Sequence, residues 1–292
     1  MGIGLLRPNV PLGPFTTYKS GGPALWFAEI KTGADLDGLI SSGIGSQHET
    51  LVIGRGSNLV VSDSGFPGLV IRLAGEFVDV AIKGLEITAG GATPLPRLAR
   101  TTVEARIAGL EFFVGIPGSV GGAVRQNAGC FGMETKDCLV SAEIVDIRTG
   151  VSRSATPFAL DHSYRSSNLA PSELVTAATF VGRLGSTEDG KAELLRITRW
   201  RKQHQPGGTF NAGSVFKNPP EISAGALIDS LGLKGLSVGE VSVSDKHANF
   251  FVAGPGASSN DIVSLVELVK SRVFELSGTM LELEIQFVGF ER

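Results

Sequence analysis

The chain has 292 residues, with 26 basic and 29 acidic side chains and a formal net charge of -3 at pH 7. This length predicts about two domains with a sizeable apolar core, and the balanced charge argues against a nucleic acid or an anionic membrane surface as the partner. Two cysteines and four scattered histidines predict a reduced compartment, no disulfide framework and no metal site.

The N-terminal stretch MGIGLLRPNVPLGPF has no basic start followed by a long apolar run, so it predicts no secretory signal. The most apolar long window, residues 107–124, is interrupted by Glu111 and Pro117 and contains five glycines. Such a window makes a poor membrane-spanning helix. We therefore expect a cytoplasmic protein without a membrane span.

The first two thirds of the chain is predicted to be mixed α/β. Apolar runs bounded by glycine turns predict strands at residues 50–54, 68–73, 78–88, 140–147 and 174–184. Helical spacing of apolar residues predicts helices at 95–108 and 191–203.

The sequence changes character after the Pro/Gly break at residues 205–208, which indicates a domain boundary. A helix is predicted at 224–231, and a second at 261–278 with Ser259 or Asn260 as its N-cap and Gly278 as its end. A strand at 281–288 closes the chain. The second helix has one apolar face, formed by Ile262, Leu265, Val266, Val269 and Val273.

Two glycine-rich loops are candidates for binding an anion. In IGRGSNLVV, Gly54 and Gly56 permit close backbone approach, and Ser57 and Asn58 add side-chain hydrogen bonds. Because Leu59 stands where a dinucleotide fingerprint has its third glycine, an ordinary turn and a phosphate loop remain equally good interpretations. The second loop, GIPGSVGGAVRQNAGCFG, has more glycines than a turn needs; it indicates either backbone pressed against a planar or anionic group or a tightly packed loop crossing.

Single polar residues elsewhere allow two interpretations each. Arg165 could pair with a carboxylate or be a solvated surface charge. Ser214 could donate a proton or belong to a glycine-serine turn, and it lacks the flanking residues of a hydrolase nucleophile elbow. Glu284 lies on the polar face of the last predicted strand, where periodicity alone would not select it. Lys246 and His247 could bind phosphate, although a structural histidine is the commoner case.

Taken in order, these segments resemble one family, the UDP-N-acetylenolpyruvoylglucosamine reductases, flavoenzymes of bacterial cell-wall precursor synthesis. The resemblance runs from TTYKSGGPA at residues 16–24 to the C-terminal strand. Between them it includes GRGSNLVVSDSGFPGLVI, GIPGSVGGAVRQNAGCFG, SYRSSN, RWRKQHQP, AGSVFKNP, LIDSLGLKG, VSDKHANF and LELEIQFVG.

The resemblance implies a chain of the α+β or mixed α/β class, with an FAD-binding fold of the vanillyl-alcohol-oxidase type. Its two subdomains are expected at residues 1–73 and 74–204, a C-terminal α+β substrate-binding domain at 205–280, and a terminal strand carrying Glu284 at 281–292. Only GSTEDG follows the strand ending near residue 184, so the match is to the shorter subtype without a tyrosine lid insertion. Cys130 stands where alanine is more usual, and no covalent flavin link is implied.

The resemblance also implies the site residues. Arg165, Ser214 and Glu284 match the catalytic residues, and Tyr164, Lys217 and Asn218 match substrate-binding positions. The positions expected to bind FAD non-covalently are Gly54, Arg55, Gly56, Ser57, Asn58, Leu59, Gly115, Ile116, Pro117, Gly118, Ser119, Gly121, Gly122, Asn127, Ala128 and Gly129.

The implied reaction reduces UDP-N-acetylglucosamine enolpyruvate, a UDP-sugar enolpyruvyl ether, to UDP-N-acetylmuramate, with NADPH as the hydride donor and a monomer as the expected state. Ser214 would protonate the substrate, and Arg165 with Glu284 would stabilise charge near its carboxylate. Two alternatives are another oxidoreductase of the same flavin fold, acting on a hydroxylated small molecule, and a catalytically silent protein that binds nucleotide sugars.

Overall fold

The computed structural model describes residues 5–207 and 210–290, which form two compact units. The first unit contains the described residues up to Asn9, together with Leu25–Gly54 and Pro67–Arg201. The second contains Val10–Ala24, Arg55–Phe66 and the described residues from Lys202 onward. Each unit is therefore assembled from segments that are far apart in sequence.

The described residues form eighteen strands and seven α-helices. The strands are β1 Leu6–Pro11, β2 Pro23–Ile30, β3 Thr50–Val52, β4 Leu59–Val61, β5 Phe66–Leu73, β6 Val80–Lys83, β7 Glu86–Gly90, β8 Ile107–Ala108, β9 Gly129–Cys130, β10 Met133–Glu134, β11 Leu139–Asp146, β12 Ser152–Ala155, β13 Glu173–Val181, β14 Arg183–Leu184, β15 Ser237–Val238, β16 Val241–Val243, β17 Phe251–Ala253 and β18 Gln286–Val288. The α-helices are α1 Gly33–Ser41, α2 Ile44–Gln47, α3 Leu95–Glu104, α4 Val120–Gln126, α5 Thr187–His204, α6 Ala224–Ser230 and α7 Ser259–Ser277.

The first unit is built around two sheets. One has the strand order β1-β2-β5-β3, with β3 and β5 parallel. The other is antiparallel, with the order β12-β11-β13-β7-β6. Because successive side chains of a strand point to opposite faces, one face of the second sheet enters the core; its buried residues include Ile87, Ala89, Ala142, Ile144, Ala178 and Phe180.

Helix α3 packs on this sheet through a single apolar stripe. Leu95, Leu98 and Ala99 are buried there in the same cluster as Phe113 and Phe180, whose rings meet edge to face with centroids 5.5 Å apart. Aromatic pairs favour this geometry. The packing fixes the start of α3 next to the second glycine-rich loop.

The second unit has a smaller antiparallel sheet, β15-β16-β17, and the helices α6 and α7. All five apolar residues predicted for the face of α7 are buried, so that prediction is confirmed. Strand β18 pairs in parallel with β4, placing Gln286 opposite Leu59. The C-terminal segment is thereby joined to the strand that follows the first glycine-rich loop.

Several predicted elements differ from the structure at their ends. The helix predicted at 95–108 stops at Glu104, because Arg106 has a positive φ of 61° and residues 107 and 108 form β8. The strand predicted at 78–88 is a hairpin of β6 and β7. The strand predicted at 281–288 is reduced to Gln286–Val288, so Glu284 precedes it.

Candidate active site

The first glycine-rich loop, residues 54–58, connects β3 to β4 and ends at Leu59. Gly56 has a φ of 60°, and a Cβ atom there would lie 2.2 Å from the carbonyl oxygen of Phe15, so no other residue fits. Among the described residues, none accepts a hydrogen bond from the amides of positions 55–58. Unpaired successive amides are the donors that a phosphate loop uses, which favours that interpretation over an ordinary turn.

The second loop leads into helix α4 and is held against the start of α3. The Leu95 amide donates to the Gly118 carbonyl (3.1 Å), and the Val120 amide donates to the Thr93 carbonyl (3.0 Å). Ile116 is half-buried and Pro117 is exposed. These bonds fix the backbone of residues 118–120.

The two loops meet within the first unit, where Gly54 faces Ser119. A Cβ atom on Gly54 would lie 2.5 Å from the Ser119 hydroxyl oxygen, and Ser119 is buried. The close approach explains the glycine at position 54. It also brings residues of the first and second predicted cofactor segments into contact.

Four glycines of the second loop divide into two groups. A Cβ atom would lie 2.9 Å from the Cys130 sulfur at Gly115, 3.1 Å from the Gly91 oxygen at Gly121, and 2.4 Å from the Met133 oxygen at Gly129. Those three allow the chain to pack on itself. Gly122 is exposed, and its nearest neighbour would be the Ser119 hydroxyl at 3.6 Å, so protein packing does not require a glycine there.

A polar network follows helix α4. Asn127 is fully buried; its amide nitrogen donates to Glu134 (2.9 Å) and to the Ser163 carbonyl (3.0 Å), and its oxygen accepts from the Lys136 amide (2.9 Å). The Ala128 carbonyl accepts from the Thr135 hydroxyl at 2.7 Å. Asn127 and Ala128 therefore shape the turn into β9.

Arg165 belongs to this network and is not a solvated surface charge. Its side chain is 18% exposed, its Nη2 donates to the Gly129 carbonyl at 2.9 Å, and its Nη1 lies 4.0 Å from Glu134. Its guanidinium also lies over the ring of Tyr164, 4.9 Å from the centroid. A positive φ of 55°, uncommon for a non-glycine residue, is typical of a functional constraint.

Ser214 and Glu284 lie on adjoining segments of the second unit. Ser214 forms a bridge with Phe250, and the Glu284 amide donates to the carbonyl of Val215 at 2.8 Å. The side-chain amide of Asn58 donates to the Glu284 carbonyl at 2.9 Å. The first glycine-rich loop, the Glu284 segment and the Ser214 segment are thus hydrogen-bonded in succession.

Lys217 and Asn218 continue the Ser214 segment. The Lys217 amide donates to the Glu282 carbonyl (2.8 Å), and its ammonium lies 3.5 Å from the exposed carboxylate of Glu282. The Asn218 side-chain oxygen accepts from the Ala224 amide at 3.1 Å. In this structure Asn218 therefore supports the start of α6.

Two other reactive side chains, His247 and Cys130, are held by packing and hydrogen bonds within the protein. The His247 ring packs against Phe250, with centroids 4.8 Å apart, and its Nδ1 accepts from the Asn249 amide; burial lowers its pKa. Burial also raises the pKa of the Cys130 thiol to about 11, and this thiol donates to the Phe112 carbonyl. Sequence reasoning assigned no role to Glu134 or Asn249, although Asn249 lies in the segment VSDKHANF.

The donor set fits a bound FAD. Its diphosphate needs amide and hydroxyl donors at a glycine loop, and the amides of 55–58 with the side chain of Ser57 would be such donors. Among the described residues, no group of three histidine, cysteine or acidic side chains could hold a metal ion. None of the helices in residues 5–207 and 210–290 has the length and hydrophobicity that a membrane span requires.

Two family profiles match the chain. An FAD binding domain matches residues 30–155, and the C-terminal domain of UDP-N-acetylenolpyruvoylglucosamine reductase matches residues 205–288. The first covers both glycine-rich loops, and the second covers Ser214 and Glu284. The predicted fold, an FAD-binding region followed by a C-terminal domain of this family, is confirmed.

Full-length relatives agree with both profiles. UDP-N-acetylenolpyruvoylglucosamine reductases of Paramagnetospirillum magneticum and Methylorubrum populi are 42% and 43% identical to this chain, over 99% of it and over 94% and 93% of their own lengths. The crystal structure of UDP-N-acetylenolpyruvylglucosamine reductase from Thermus caldophilus is similar with a TM-score of 0.84 and 38% identity, covering 97% of this chain and 99% of that one. The chain therefore belongs to the UDP-N-acetylenolpyruvoylglucosamine reductase family of FAD-dependent oxidoreductases.

Proposed function

We propose that the protein reduces UDP-N-acetylglucosamine enolpyruvate to UDP-N-acetylmuramate with electrons from NADPH. The observation that supports this best is the succession of hydrogen bonds from Asn58 to Glu284 and from Glu284 to Val215. It joins a candidate cofactor loop to the main chain of Glu284, and Glu284 to the main chain of Val215, the residue that follows Ser214. Such an arrangement suits a reaction that adds a proton next to a bound cofactor.

When bound, FAD supplies hydride transfer from NADPH to the terminal carbon of the enolpyruvyl double bond. The residues proposed to hold it are those of the two glycine-rich loops, with the amides of positions 55–58 on the diphosphate. Reduction of the double bond then needs one proton at the neighbouring carbon.

Ser214 is the proposed donor of that proton. A serine hydroxyl is a very weak acid, so donation requires a strongly basic acceptor, which the electron-rich carbon next to the carboxylate provides. Lys217 or water then restores the serine proton. The product is a lactyl ether.

Arg165 and Glu284 are the proposed stabilisers of charge that develops toward the substrate carboxylate. The planar guanidinium of Arg165 suits a carboxylate, and its bond to the Gly129 carbonyl holds it in one orientation. Glu284 contributes when protonated or through a hydrogen bond. Tyr164, Lys217 and Asn218 are the proposed contacts to the rest of the substrate.

Two half-reactions test the proposal under anaerobic conditions. NADPH should bleach the visible absorbance of the flavin, and UDP-N-acetylglucosamine enolpyruvate should restore it with formation of UDP-N-acetylmuramate. The variant Ser214→Ala should bleach at the normal rate and recover at least about 100-fold more slowly, as expected for loss of a general acid. Normal turnover by this variant would contradict the role of Ser214.

The two alternatives give different results in the same experiment. An oxidoreductase for another substrate would bleach with NADPH and not recover with the enolpyruvyl ether. A silent nucleotide-sugar binding protein would purify colourless and bind UDP-sugars. The protein is also proposed to be a cytoplasmic monomer that acts in peptidoglycan precursor synthesis, and thereby in cell shape and cell division.

A further inference from the structure

Asn249 is a buried polar residue that the proposed reaction does not use. It is 2% exposed and lies among the apolar residues of the second unit. A buried carboxamide is costly unless its donor and acceptor are both satisfied. Its partners therefore indicate why the chain has an asparagine here.

Both ends of the Asn249 carboxamide bind one residue of the Ser214 segment. The Phe216 amide donates to Asn249 Oδ1 at 3.0 Å, and Asn249 Nδ2 donates to the Phe216 carbonyl at 2.8 Å. The main chain adds a third bond, from the Val215 amide to the Asn249 carbonyl at 2.9 Å. The side chain thus pairs with Phe216 as a neighbouring strand would.

The other edge of the same segment is paired with the segment that carries Glu284. The Val215 carbonyl accepts from the Glu284 amide, and the Lys217 amide donates to the Glu282 carbonyl, both at 2.8 Å. Without the Asn249 side chain, the backbone groups of the fully buried Phe216 would lose their partners on one edge. The segment would then be held firmly on the Glu284 edge only.

We propose that Asn249 is a positioning residue that fixes the Ser214 segment, and with it the Ser214 hydroxyl, in the geometry for proton delivery. The inference rests on the proposed function of Ser214. A displacement of about 1 Å at a reacting group costs on the order of 100-fold in rate. Hydride transfer into the flavin from NADPH does not use this hydroxyl.

The first test is Asn249→Ala in the FAD-loaded protein. Recovery of flavin absorbance with the enolpyruvyl ether should slow by about 10- to 100-fold, while FAD content and bleaching by NADPH stay at the wild-type level. The solvent deuterium isotope effect on recovery should rise, because proton delivery becomes more rate-limiting. A purely structural role would lower FAD content or both half-reactions together, and would leave the isotope effect unchanged.

The matched control is Tyr18→Phe, which removes a buried hydroxyl that donates to the Phe251 carbonyl in the same unit. This change leaves the partners of Phe216 in place. It should leave the recovery rate and its isotope effect at wild-type values. Slowed recovery of the same size in Tyr18→Phe would overturn the specific role of Asn249.

A second variant, Asn249→Asp, keeps the size of the side chain and makes the inference testable by pH. Ionised, the carboxylate accepts from the Phe216 amide but faces the Phe216 carbonyl without a proton. Protonated, the carboxylic acid has the same donor and acceptor arrangement as the amide. Its recovery rate, divided by that of the wild type, should therefore rise at least several-fold as the pH falls.

The ratio to the wild-type rate removes titrations that both proteins share. The ionisable groups on the segment of Asn249 are Asp245, Lys246 and His247. The elements packed against it carry Lys217, Asp229, Glu282 and Glu284. A ratio that stays flat or falls toward low pH would overturn the inference. The Asn249→Asp measurement tests the proposal even if Asn249→Ala fails to fold.

The outcomes distinguish a failure of the proposed function from a failure of the positioning role of Asn249. If wild-type protein bleached by NADPH does not recover with the enolpyruvyl ether, the proposed function fails. If the wild type recovers and both Asn249 variants match its rate and isotope effect at every pH, only the positioning role fails.

Discussion

Two histidines make the stability of the protein depend on pH. Burial lowers the pKa of His162 and of His247 below the ordinary value of 6.5. His162 Nε2 pairs with the Val124 carbonyl, and its Nδ1 is buried without a partner among the described residues. Protonation therefore costs more in the folded chain than in the unfolded one.

The unfolded state binds more protons below this ordinary pKa, so the free energy of unfolding should fall as the pH drops through about 6.5. The loss is at most about 1.4 kcal/mol per pH unit for each histidine. Urea unfolding at about pH 8, about pH 6.5 and about pH 5 measures this loss. The variant His162→Gln keeps a donor for Val124 and cannot titrate, so an unchanged slope in that variant would contradict the role of His162.

For single residues, the sequence identified candidate site residues better than it predicted their contacts. The motifs identified Arg165, Ser214 and Glu284, and the structure gives Arg165 partly buried partners that a solvated surface charge would lack. Glu134 and Asn249 were missed because Glu134 contacts Arg165 and Asn249 contacts the backbone of Phe216, and both contacts join residues far apart in sequence. Their functions depend on tertiary contacts, which no local pattern encodes.

At the scale of elements, strand β3 contains a buried hydroxyl without a partner. Thr50 is 7% exposed, and its Oγ1 accepts or donates no hydrogen bond among the described residues. The variant Thr50→Val has the same shape without the buried hydroxyl, so it should raise the free energy of unfolding by about 1 kcal/mol.

Thr135 is the matched comparison for Thr50→Val. It is fully buried, and its hydroxyl donates to the Ala128 carbonyl at 2.7 Å. The variant Thr135→Val should lower the free energy of unfolding by about 1 kcal/mol, because it leaves that carbonyl without this donor. Urea denaturation of the FAD-free proteins gives both values, and changes of the same sign would refute the argument.

The N-terminus of α7 gives a second prediction at this scale. The sequence predicted Ser259 or Asn260 as the cap, whereas the hydroxyl of Ser258 accepts from the Asp261 amide at 3.0 Å and the Asp261 carboxylate accepts from the Ser258 amide. Ser259 bonds to Asp63 instead. The variant Ser258→Ala should cost about 1 kcal/mol of unfolding free energy.

Asn260 is exposed, so Asn260→Ala should change the unfolding free energy by less than about 0.5 kcal/mol. A larger cost for Asn260→Ala than for Ser258→Ala would restore the predicted cap. The sequence placed α7 correctly because five apolar residues at helical spacing make a strong signal. It misplaced the cap because three neighbouring residues can all accept an amide hydrogen bond.

At the scale of the molecule, the sequence predicted the kind of fold and not its assembly. The motifs gave the flavin fold and the C-terminal domain, which the family profiles confirm. They did not reveal that residues 10–24 and 55–66 join the C-terminal region in one unit. The parallel pairing of β4 with β18 links residues more than two hundred positions apart, and periodicity carries no information about such pairs.

FAD binding should raise the free energy of unfolding of the native chain. Gly122 tests whether a glycine in the second loop is required for contact with FAD or for packing within the protein. A ligand that binds only the native state, present at 100 times its Kd, adds about 2.7 kcal/mol to the free energy of unfolding. A Cβ atom at Gly122 meets nothing closer than 3.6 Å in the protein. If Gly122 is a glycine because FAD lies against it, Gly122→Ala should fold normally without FAD and lose at least about half of this increment.

Gly129→Ala should behave in the opposite way, because its Cβ atom would lie 2.4 Å from the Met133 oxygen. Chemical unfolding with and without FAD measures both variants: Gly129→Ala should be destabilised already without FAD, whereas Gly122→Ala should differ from the wild type only when FAD is present. If Gly122→Ala gains the full increment, the exposed glycine does not face the cofactor. The proposed contact with FAD would then be limited to the other residues of the two loops.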